Sequence, residues 1–409
     1  MLAGGSPSPG PGRRLSRVSL DELFSRYLDL TPPPEPLDGK ALPGTGGVCA
    51  LTDDHGRLIQ VLAAENLRRF LVHRFEPPTD QPRRGRADLR AIARRLWWQP
   101  THSTFETALT YLDIARRLNP TGYRKDLAFG PVWFARINLQ DEHPRWICDP
   151  LAFTPPTVDV GPFETRLSCR RFIELLEDLF DLCRYHEVLR QAPHGVACAY
   201  QEMGKCPAPC DGSISMAQYC EALVESIDFA TGRSELKMAR LEAAMVAAAE
   251  ALQFERATRI RQQIATANKV LAADGRFQPT PQRFRYLVIQ RGGGSSRIKP
   301  FFVDRGVVGT DEAATLSRLG GVVERWTDKM RTVDADNEGD DSVRRSEQIG
   351  LVCHFLAKGP RAPGLFLHQS ELGTPGNLAD TIKARFGKKA VTRRNQPVSV
   401  DPPRDGPLQ

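Results

Sequence analysis

The sequence has 409 residues, of which 41% are hydrophobic and 26% are charged, and its formal net charge is +7. This length predicts two or three folded units, and the composition excludes a largely disordered chain. Because no apolar run approaches the length of a membrane span and the N-terminus lacks a secretory pattern, we expect a cytoplasmic protein without membrane contact. The basic balance mildly favours an anionic partner such as nucleic acid.

The first predicted elements follow a tail and a proline-rich linker, which together occupy residues 1–42. Apolar runs at 47–51 and 58–62 flank an Asp-Asp-His-Gly segment, which predicts a β-hairpin. A helix that begins near Leu67 follows. The strongly basic stretch 80–95 then leads into two tryptophans and is either a solvated helix face or a nucleic-acid contact.

The middle of the chain is predicted to be mainly helical. Its elements, in order, are a helix over 105–118, strands over 132–137 and 145–148, an amphipathic helix over 169–183 and a helix over 216–230 capped by Ser215. Residues 234–271 are almost purely helical except near Leu252, which predicts an antiparallel helical hairpin.

Beyond residue 274 the pattern changes to strands and helices. Strands are predicted over 284–290 and 298–303, around a loop of three glycines, with helices over 311–330 and 342–356. An acidic loop over 334–341 separates the two helices. The last residues, rich in lysine and arginine, are predicted to be a disordered tail.

Four cysteines stand close together in the sequence. Cys198, Cys206 and Cys210 lie in one short segment, and Cys183 stands fifteen positions before the first of them. Four thiolates in a compact loop can hold a tetrahedral zinc ion or a cubane iron–sulfur cluster, because both require four soft ligands. Ordinary buried cysteines are the third interpretation, and the spacing alone leaves all three open.

The cysteine segment also carries a family resemblance. Its residues are, in chain order, Gly161-Pro162-Phe163, Leu179-Phe180, Cys198, Tyr200, Gln201, Gly204, Lys205, Cys206, Pro209 and Cys210. In this order they resemble the UvrC family of nucleotide-excision repair proteins, whose cysteines hold a [4Fe-4S] cluster. The resemblance implies that Cys183, Cys198, Cys206 and Cys210 hold such a cluster here, with zinc as the alternative. The family's first cysteine falls where Tyr185 stands, two residues after Cys183.

The helical hairpin resembles the UVR motif of UvrB and UvrC from Leu241 onwards. A two-helix hairpin is too small to bury both apolar faces alone, so it gains stability by docking. The resemblance implies a UvrB-like helicase as the partner, with Phe254 as the anchor. The residues predicted to bind the partner are Met245, Leu252, Phe254, Glu255, Arg259 and Ile260. The alternative is a hairpin that packs on its own chain.

A further resemblance concerns the GIY-YIG nuclease domain with which UvrC begins, and it is carried by residues 47–49, 59–62 and 66–71. The catalytic positions hold Cys49 and Gln60 in place of two tyrosines, Leu62 and Ala63 in place of glycine and lysine, Phe70 in place of arginine, and Tyr111 in place of the metal-binding glutamate. Because cleavage needs that carboxylate and that arginine, we predict a non-catalytic domain. Glu106 or Asp113 could replace the glutamate alone.

The predicted fold class is α+β. Its parts are the tail and linker (1–42), a small degenerate GIY-YIG-like α/β domain (43–125), a mainly helical cysteine-cluster region (126–233), the α-helical UVR hairpin (234–272), an unassigned α+β domain (273–385) and a disordered basic tail (386–409). The resemblance covers roughly residues 43–271. The residues predicted to contact nucleic acid are Arg68, Arg69, Arg83, Arg84, Arg86 and Lys205.

The resemblance implies a non-catalytic UvrC-like protein that acts in DNA repair by binding DNA, a UvrB-like helicase or both. One alternative is a divergent metal-dependent DNA endonuclease, which would retain its chemistry through unrecognised acids. The other is an adaptor outside repair, in which the hairpin recruits a different partner.

Overall fold

The computed structural model describes residues 19–30, 37–76, 88–272, 275–332 and 341–387. The described chain mixes helices with three antiparallel sheets, so the predicted α+β class is confirmed. None of the described helices combines the length and apolar character that a bilayer span requires.

The first unit is built on a four-stranded antiparallel sheet. Its strands are β1 (Arg26–Asp29), β2 (Gly46–Thr52), β3 (Leu58–Ala64) and β4 (Arg95–Thr101), and their spatial order is β1-β4-β2-β3. Its helices are α1 (Leu20–Leu23), α2 (Leu67–Arg74), α3 (Leu89–Ile92) and α4 (Thr104–Leu118). The predicted hairpin is confirmed as β2 and β3, and α4 begins where the Ser103 side chain accepts the Glu106 backbone N–H.

Part of the predicted tail and linker belongs to this sheet. Strand β1 pairs with β4, placing Arg26 opposite Trp98, and Phe24, Leu30 and Leu42 are buried. The sequence pattern missed β1 because the pairing partner lies some seventy residues further along the chain. Residues 1–18 and the proline-rich segment 31–36 lie outside the described residues.

The middle unit places one long helix against a three-stranded sheet. Its strands are β5 (Trp133–Ile137), β6 (Ile147–Asp149) and β7 (Val158–Phe163), in the order β6-β5-β7. Its helices are α5 (Arg166–Leu179), α6 (His186–Leu189), α7 (Ala199–Glu202) and α8 (Met216–Ala230). Helix α8 and its Ser215 cap agree with the prediction. Helix α5 ends before the predicted residue 183, because Asp181 adopts a left-handed φ of 52° that stops the helix.

The predicted helical hairpin is confirmed as α9 (Glu235–Glu250) and α10 (Phe254–Ala272). Its two ends have different surroundings. At the open end, Ala267 and Val270 are buried in the core of the middle unit, and Met238 and Leu241 pack against that core. At the closed end, the turn around Leu252 projects into solvent.

The last unit contains the third sheet, with β8 (Arg285–Arg291), β9 (Arg297–Asp304), β10 (Val307–Thr310), β11 (Ala314–Thr315) and β12 (Leu365–His368). The order is β10-β9-β8-β12, and β11 also pairs with β9. The helices are α11 (Gly320–Thr332), α12 (Ser342–Leu356) and α13 (Pro375–Phe386).

Two predictions for the last unit were wrong. The helix predicted over 311–330 begins only at Gly320, because Ala314 and Thr315 pair with β9 as strand β11. Phe386, with which the predicted tail begins, is instead the buried last residue of α13. Residues 388–409 and most of the predicted acidic loop lie outside the part of the chain that the structure describes.

The first and last units share a hydrophobic core. The ring of Phe105 on α4 lies 5.1 Å from that of Phe301 on β9 and 5.3 Å from that of Phe355 on α12. The Lys299 ammonium lies 2.7 Å from the Glu106 carboxylate across the same boundary. The two units therefore form one packed body around α4.

Candidate functional site

Three of the four predicted ligand cysteines lie together. The thiols of Cys183 and Cys206 lie close enough to influence each other's ionisation, and both interact electrostatically with Cys210. All three side chains are buried. The backbone N–H of Cys183 donates to the Tyr219 hydroxyl at 3.2 Å, which anchors Cys183 to α8.

The segment between Cys206 and Cys210 turns back on itself. Ala208, between two prolines, has a φ of 55° and is fully buried. A non-glycine residue pays about 1–2 kcal/mol for this left-handed conformation, and strain of this kind persists where the surroundings enforce it. The Gly195 backbone N–H donates to the Cys210 carbonyl at 2.8 Å and closes the loop that carries Cys198.

The thiols of this loop differ in how readily they ionise. Interaction with the Cys183 thiol lowers the pKa of Cys206, so its sulfur ionises more readily. The same interaction, together with burial, raises the pKa of Cys183, and burial raises the pKa of Cys210. Among the described residues, however, no group of three or more His, Cys, Asp or Glu side chains has the geometry of a metal site. Cys198 is half-buried as the residue that precedes α7.

The position of Cys183, two residues before that of the family's first cysteine, is explained by the chain path. Helix α5 ends at Leu179, and the reversal at Asp181 brings Cys183 against Cys206. Tyr185 points outwards and is 51% exposed. Its carbonyl accepts a hydrogen bond from the Cys183 thiol at 3.5 Å.

An aromatic surface beside the cysteines was not predicted. The rings of Tyr185 and Tyr200 lie 5.6 Å apart, and the Arg184 guanidinium lies 4.4 Å from the centre of the Tyr200 ring. Lys205, predicted to contact nucleic acid, is half-exposed next to them, and its ammonium lies 4.0 Å from the Asp178 carboxylate. Exposed tyrosines beside cations can stack on nucleic-acid bases.

The arginines predicted to contact nucleic acid have different surroundings. Arg68 donates to the Leu42 carbonyl at 2.8 Å, so its guanidinium holds the N-terminal segment in place. Arg69 is exposed on α2. Arg83, Arg84 and Arg86 lie outside the described residues. In the same stretch, Arg95 pairs with Asp29 and lies over the Tyr27 ring, which is a structural role.

The closed end of the hairpin presents two large apolar side chains. Leu252 is 71% exposed with a left-handed φ of 58°, and Phe254 is 67% exposed. Glu255 and Arg259 are exposed beside them, and Met245 is half-buried. Ile260, also in the predicted set, is buried in this structure, unlike Leu252 and Phe254.

The positions that correspond to the nuclease residues are dispersed. Cys49 is fully buried in the sheet, where burial raises the pKa of its thiol to about 12. Phe70 packs against the same core. In contrast, Gln60, Leu62, Ala63 and Tyr111 line one cavity.

The two carboxylates considered as substitutes are engaged elsewhere. Glu106 pairs with Lys299 and accepts the His102 backbone N–H at 2.8 Å. The Asp113 carboxylate lies 3.7 Å from the Arg344 guanidinium. Both therefore stabilise the boundary between the first and last units.

Comparisons with known proteins point to one family. Residues 136–229 match the family described as UvrC/Cho excinuclease, middle domain. The chain is 29% identical over 350 residues to UvrABC system protein C of Mycolicibacterium smegmatis, covering 83% of the chain and 46% of that protein. It is 30% identical over 322 residues to UvrABC system protein C of Acidothermus cellulolyticus, and this match covers 78% of the chain and 46% of that protein. No solved structure matches the chain.

The extent of these matches corrects the predicted range of the resemblance. A match over 322 residues is longer than the part of the chain that ends with the hairpin at Ala272, so it enters the last unit as well. UvrABC system protein C of Acetivibrio thermocellus is 24% identical over 368 residues, covering 88% of the chain and 55% of that protein. The chain spans about half the length of the curated relatives it matches.

Proposed function

We propose, from the premise that this chain belongs to the UvrC family, that it is a non-catalytic accessory factor of nucleotide excision repair. In this role it binds a UvrB-like helicase through the tip of its helical hairpin and DNA through exposed basic residues that include Arg69 and Lys205. A structural [4Fe-4S] cluster stabilises the cysteine loop, with zinc as the alternative metal.

The observation that carries the proposal is the exposed apolar tip of the hairpin. The open end of the hairpin is fixed in the core of the middle unit, whereas Leu252 and Phe254 project from the closed end. A fold gains nothing from an exposed leucine in a left-handed conformation, which costs about 1–2 kcal/mol relative to glycine. Such a residue is favourable when a partner buries it, and a neighbouring aromatic side chain is a typical interface anchor.

The test is binding of the full chain to a UvrB-like helicase by isothermal titration calorimetry. We expect Phe254→Ala to weaken binding about 30-fold, the effect of losing about 2 kcal/mol at an interface hot spot. Leu252→Gly should weaken binding while leaving the free energy of unfolding unchanged or higher, because glycine tolerates the positive φ. The matched control is Leu236→Ala, also exposed but at the open end of the hairpin.

Two outcomes would contradict the partner assignment. If the wild-type chain does not bind a UvrB-like protein, the alternative of an adaptor outside repair is favoured. If Leu236→Ala weakens binding as much as Phe254→Ala, then the tip is not the contact surface.

The cluster is supported by the convergence of Cys183, Cys206 and Cys210 and by the presence of Cys198 in the same closed loop. Bound there, a [4Fe-4S] cluster would be held by four thiolates and would crosslink the loop. The test is anaerobic purification with iron, sulfide and zinc analysis. We expect about four irons per chain, lost in Cys206→Ser and retained in Cys220→Ser, whose cysteine lies outside the loop on α8. A wild-type chain with neither metal would overturn the proposal.

The non-catalytic assignment is supported by the pairing of Glu106 with Lys299 and of Asp113 with Arg344. We expect no nicking of damaged or branched DNA by the purified chain in the presence of Mg²⁺ or Mn²⁺. Nicking that disappears in Glu106→Gln would instead favour the divergent endonuclease.

A further inference from the structure

A cavity of about 510 Å³ lies between the first and last units. Strand β3 and helix α4 form one wall, the segment 126–129 forms a second, and the end of α12 forms the third. Cavities of a few hundred Å³ with aromatic and a few polar side chains are typical of small-ligand sites. Neither the proposed helicase contact nor the cysteine loop involves this cavity.

The cavity lies where a GIY-YIG nuclease would hold its catalytic residues, according to the resemblance of β3 and α4 to that domain. Here Gln60, Leu62, Ala63 and Tyr111 occupy those positions and face the cavity. Most of the lining residues are uncharged, and the end of α12 in the last unit supplies one side of the cavity.

Aromatic side chains line the cavity from two units. The rings of Phe129 and His354 lie 6.2 Å apart with an angle of 39° between their planes, and His354 is perpendicular to Phe355 at 5.5 Å. Tyr111 is half-buried on the opposite wall. Half-buried rings that face a cavity offer π-surfaces for a planar heterocycle.

The charged side chains that line the cavity are Glu65, Asp126 and Lys358. The Lys358 ammonium lies 4.5 Å from the Phe355 ring and, among the described residues, forms no ion pair. The charge of Lys358 adds to burial in lowering the pKa of His354, so this imidazole is neutral at physiological pH. Asp126 lies on the Tyr111 side, where its charge adds to burial in raising the pKa of that phenol.

One hydroxyl of the cavity wall lacks a partner. Thr104 Oγ1 is buried and forms no hydrogen bond within the part of the chain that the structure describes. A buried hydroxyl without a partner costs about 1–3 kcal/mol. Because this oxygen is also closed off from solvent, the cost belongs to the fold and the hydroxyl is not a contact point for a ligand in the cavity.

We propose that this cavity binds a nucleotide, with the base against Tyr111, Phe129 and His354 and the phosphate at Lys358. A nucleotide combines the required chemistry, since its base is planar and carries donors for Asp126, and its phosphate is anionic. The nucleotide is either free or part of a DNA strand from which one base is extruded. Both sources present the same groups to the cavity.

Two assays on the full chain distinguish the sources. The first is calorimetric titration with each of the four deoxynucleoside 5′-monophosphates. The second is fluorescence of a single-stranded oligonucleotide that carries one 2-aminopurine, whose emission changes when its stacking partners change. Binding of the free nucleotides indicates a nucleotide pocket. A fluorescence change that occurs without binding of the free nucleotides and is lost in Ala108→Trp indicates an extruded base of DNA in the cavity, whereas a change that persists in this variant indicates DNA bound elsewhere and contradicts the inference.

The variants test the cavity itself. Lys358→Gln should weaken binding about tenfold through loss of one charge-assisted contact. Lys329→Gln is the matched control, because Lys329 also lies over a phenylalanine ring but on α11, outside the cavity. Ala108→Trp should abolish binding by filling the cavity, and Lys358→Gln, at an exposed position, remains informative if that variant does not fold.

Either of two further results would overturn the inference. One is the absence of both free-nucleotide binding and a fluorescence change with the wild-type chain. The other is binding that Lys358→Gln and Lys329→Gln affect equally. Because the cavity that Lys358 lines contains no residue of the hairpin, helicase binding by Lys358→Gln should equal that of the wild type, so this test and that of the proposed function can fail separately.

Discussion

Individual residues in unusual conformations occur at both segments to which we assign a function. Ala208 in the cysteine loop and Leu252 at the hairpin tip have positive φ angles although neither is glycine. Each costs about 1–2 kcal/mol relative to a relaxed backbone. Ala208 is held by its surroundings in the fold, whereas Leu252 is exposed, which is why only Leu252 indicates a missing partner.

Glu177 is a second residue whose environment has a measurable consequence. Burial raises the pKa of its carboxyl from 4.5 to about 7, partly opposed by the charge of Arg184. The buried, charged carboxylate destabilises the folded state, which is why its folded-state pKa exceeds the unfolded value. This destabilisation is absent below the unfolded pKa and grows as pH rises to the folded pKa. Glu177→Gln should therefore equal the wild type in stability at about pH 4 and exceed it by roughly 2–3 kcal/mol at about pH 8.

Urea unfolding at several pH values checks this prediction. Glu174→Gln is the control, because Glu174 is exposed on the same helix. A stability difference that does not change with pH would show that Glu177 acts through packing and not through its charge.

At the scale of elements, the hairpin combines two environments in one motif. Its open end contributes Ala267 and Val270 to the core of the middle unit, and its closed end is exposed. The open end packs on its own chain, as the alternative interpretation predicted, whereas docking of the exposed closed end on a partner stays a prediction.

Two valines of the hairpin allow a matched test. Val270→Ala should lower the free energy of unfolding by about 1–2 kcal/mol, because it leaves a cavity where the side chain is buried. Val246→Ala, at an exposed position on α9, should change it by less than about 0.5 kcal/mol. Chemical denaturation measures both, and equal effects would mean that the hairpin does not pack on the middle unit.

At the scale of the whole molecule, the first and last units share the aromatic cluster around Phe105. Phe105 is fully buried, so Phe105→Ala should cost about 3–5 kcal/mol. Because the cluster joins both units, we expect one calorimetric transition that moves as a whole in this variant. Phe254→Ala, an exposed phenylalanine, should leave the transition unchanged. Two separate transitions, only one of which moves, would contradict the shared core.

The sequence by itself determined the elements that depend on local signals. The β2–β3 hairpin follows from its turn, α8 from its Ser215 cap, and the break between α9 and α10 from the residues around Leu252. It also placed Cys198, Cys206 and Cys210 in one loop, because they lie close together along the chain. These features need no information from distant residues.

The tertiary structure alone decided the features that depend on distant partners. Strands β1 and β11 exist because remote strands pair with them, and Ile260 proved to be buried. The meeting of Cys183 with Cys206 depends on where α5 ends, and the cavity requires α12 to pack beside α4. Local periodicity cannot reveal these contacts, because strand pairing and burial depend on which segments meet after folding.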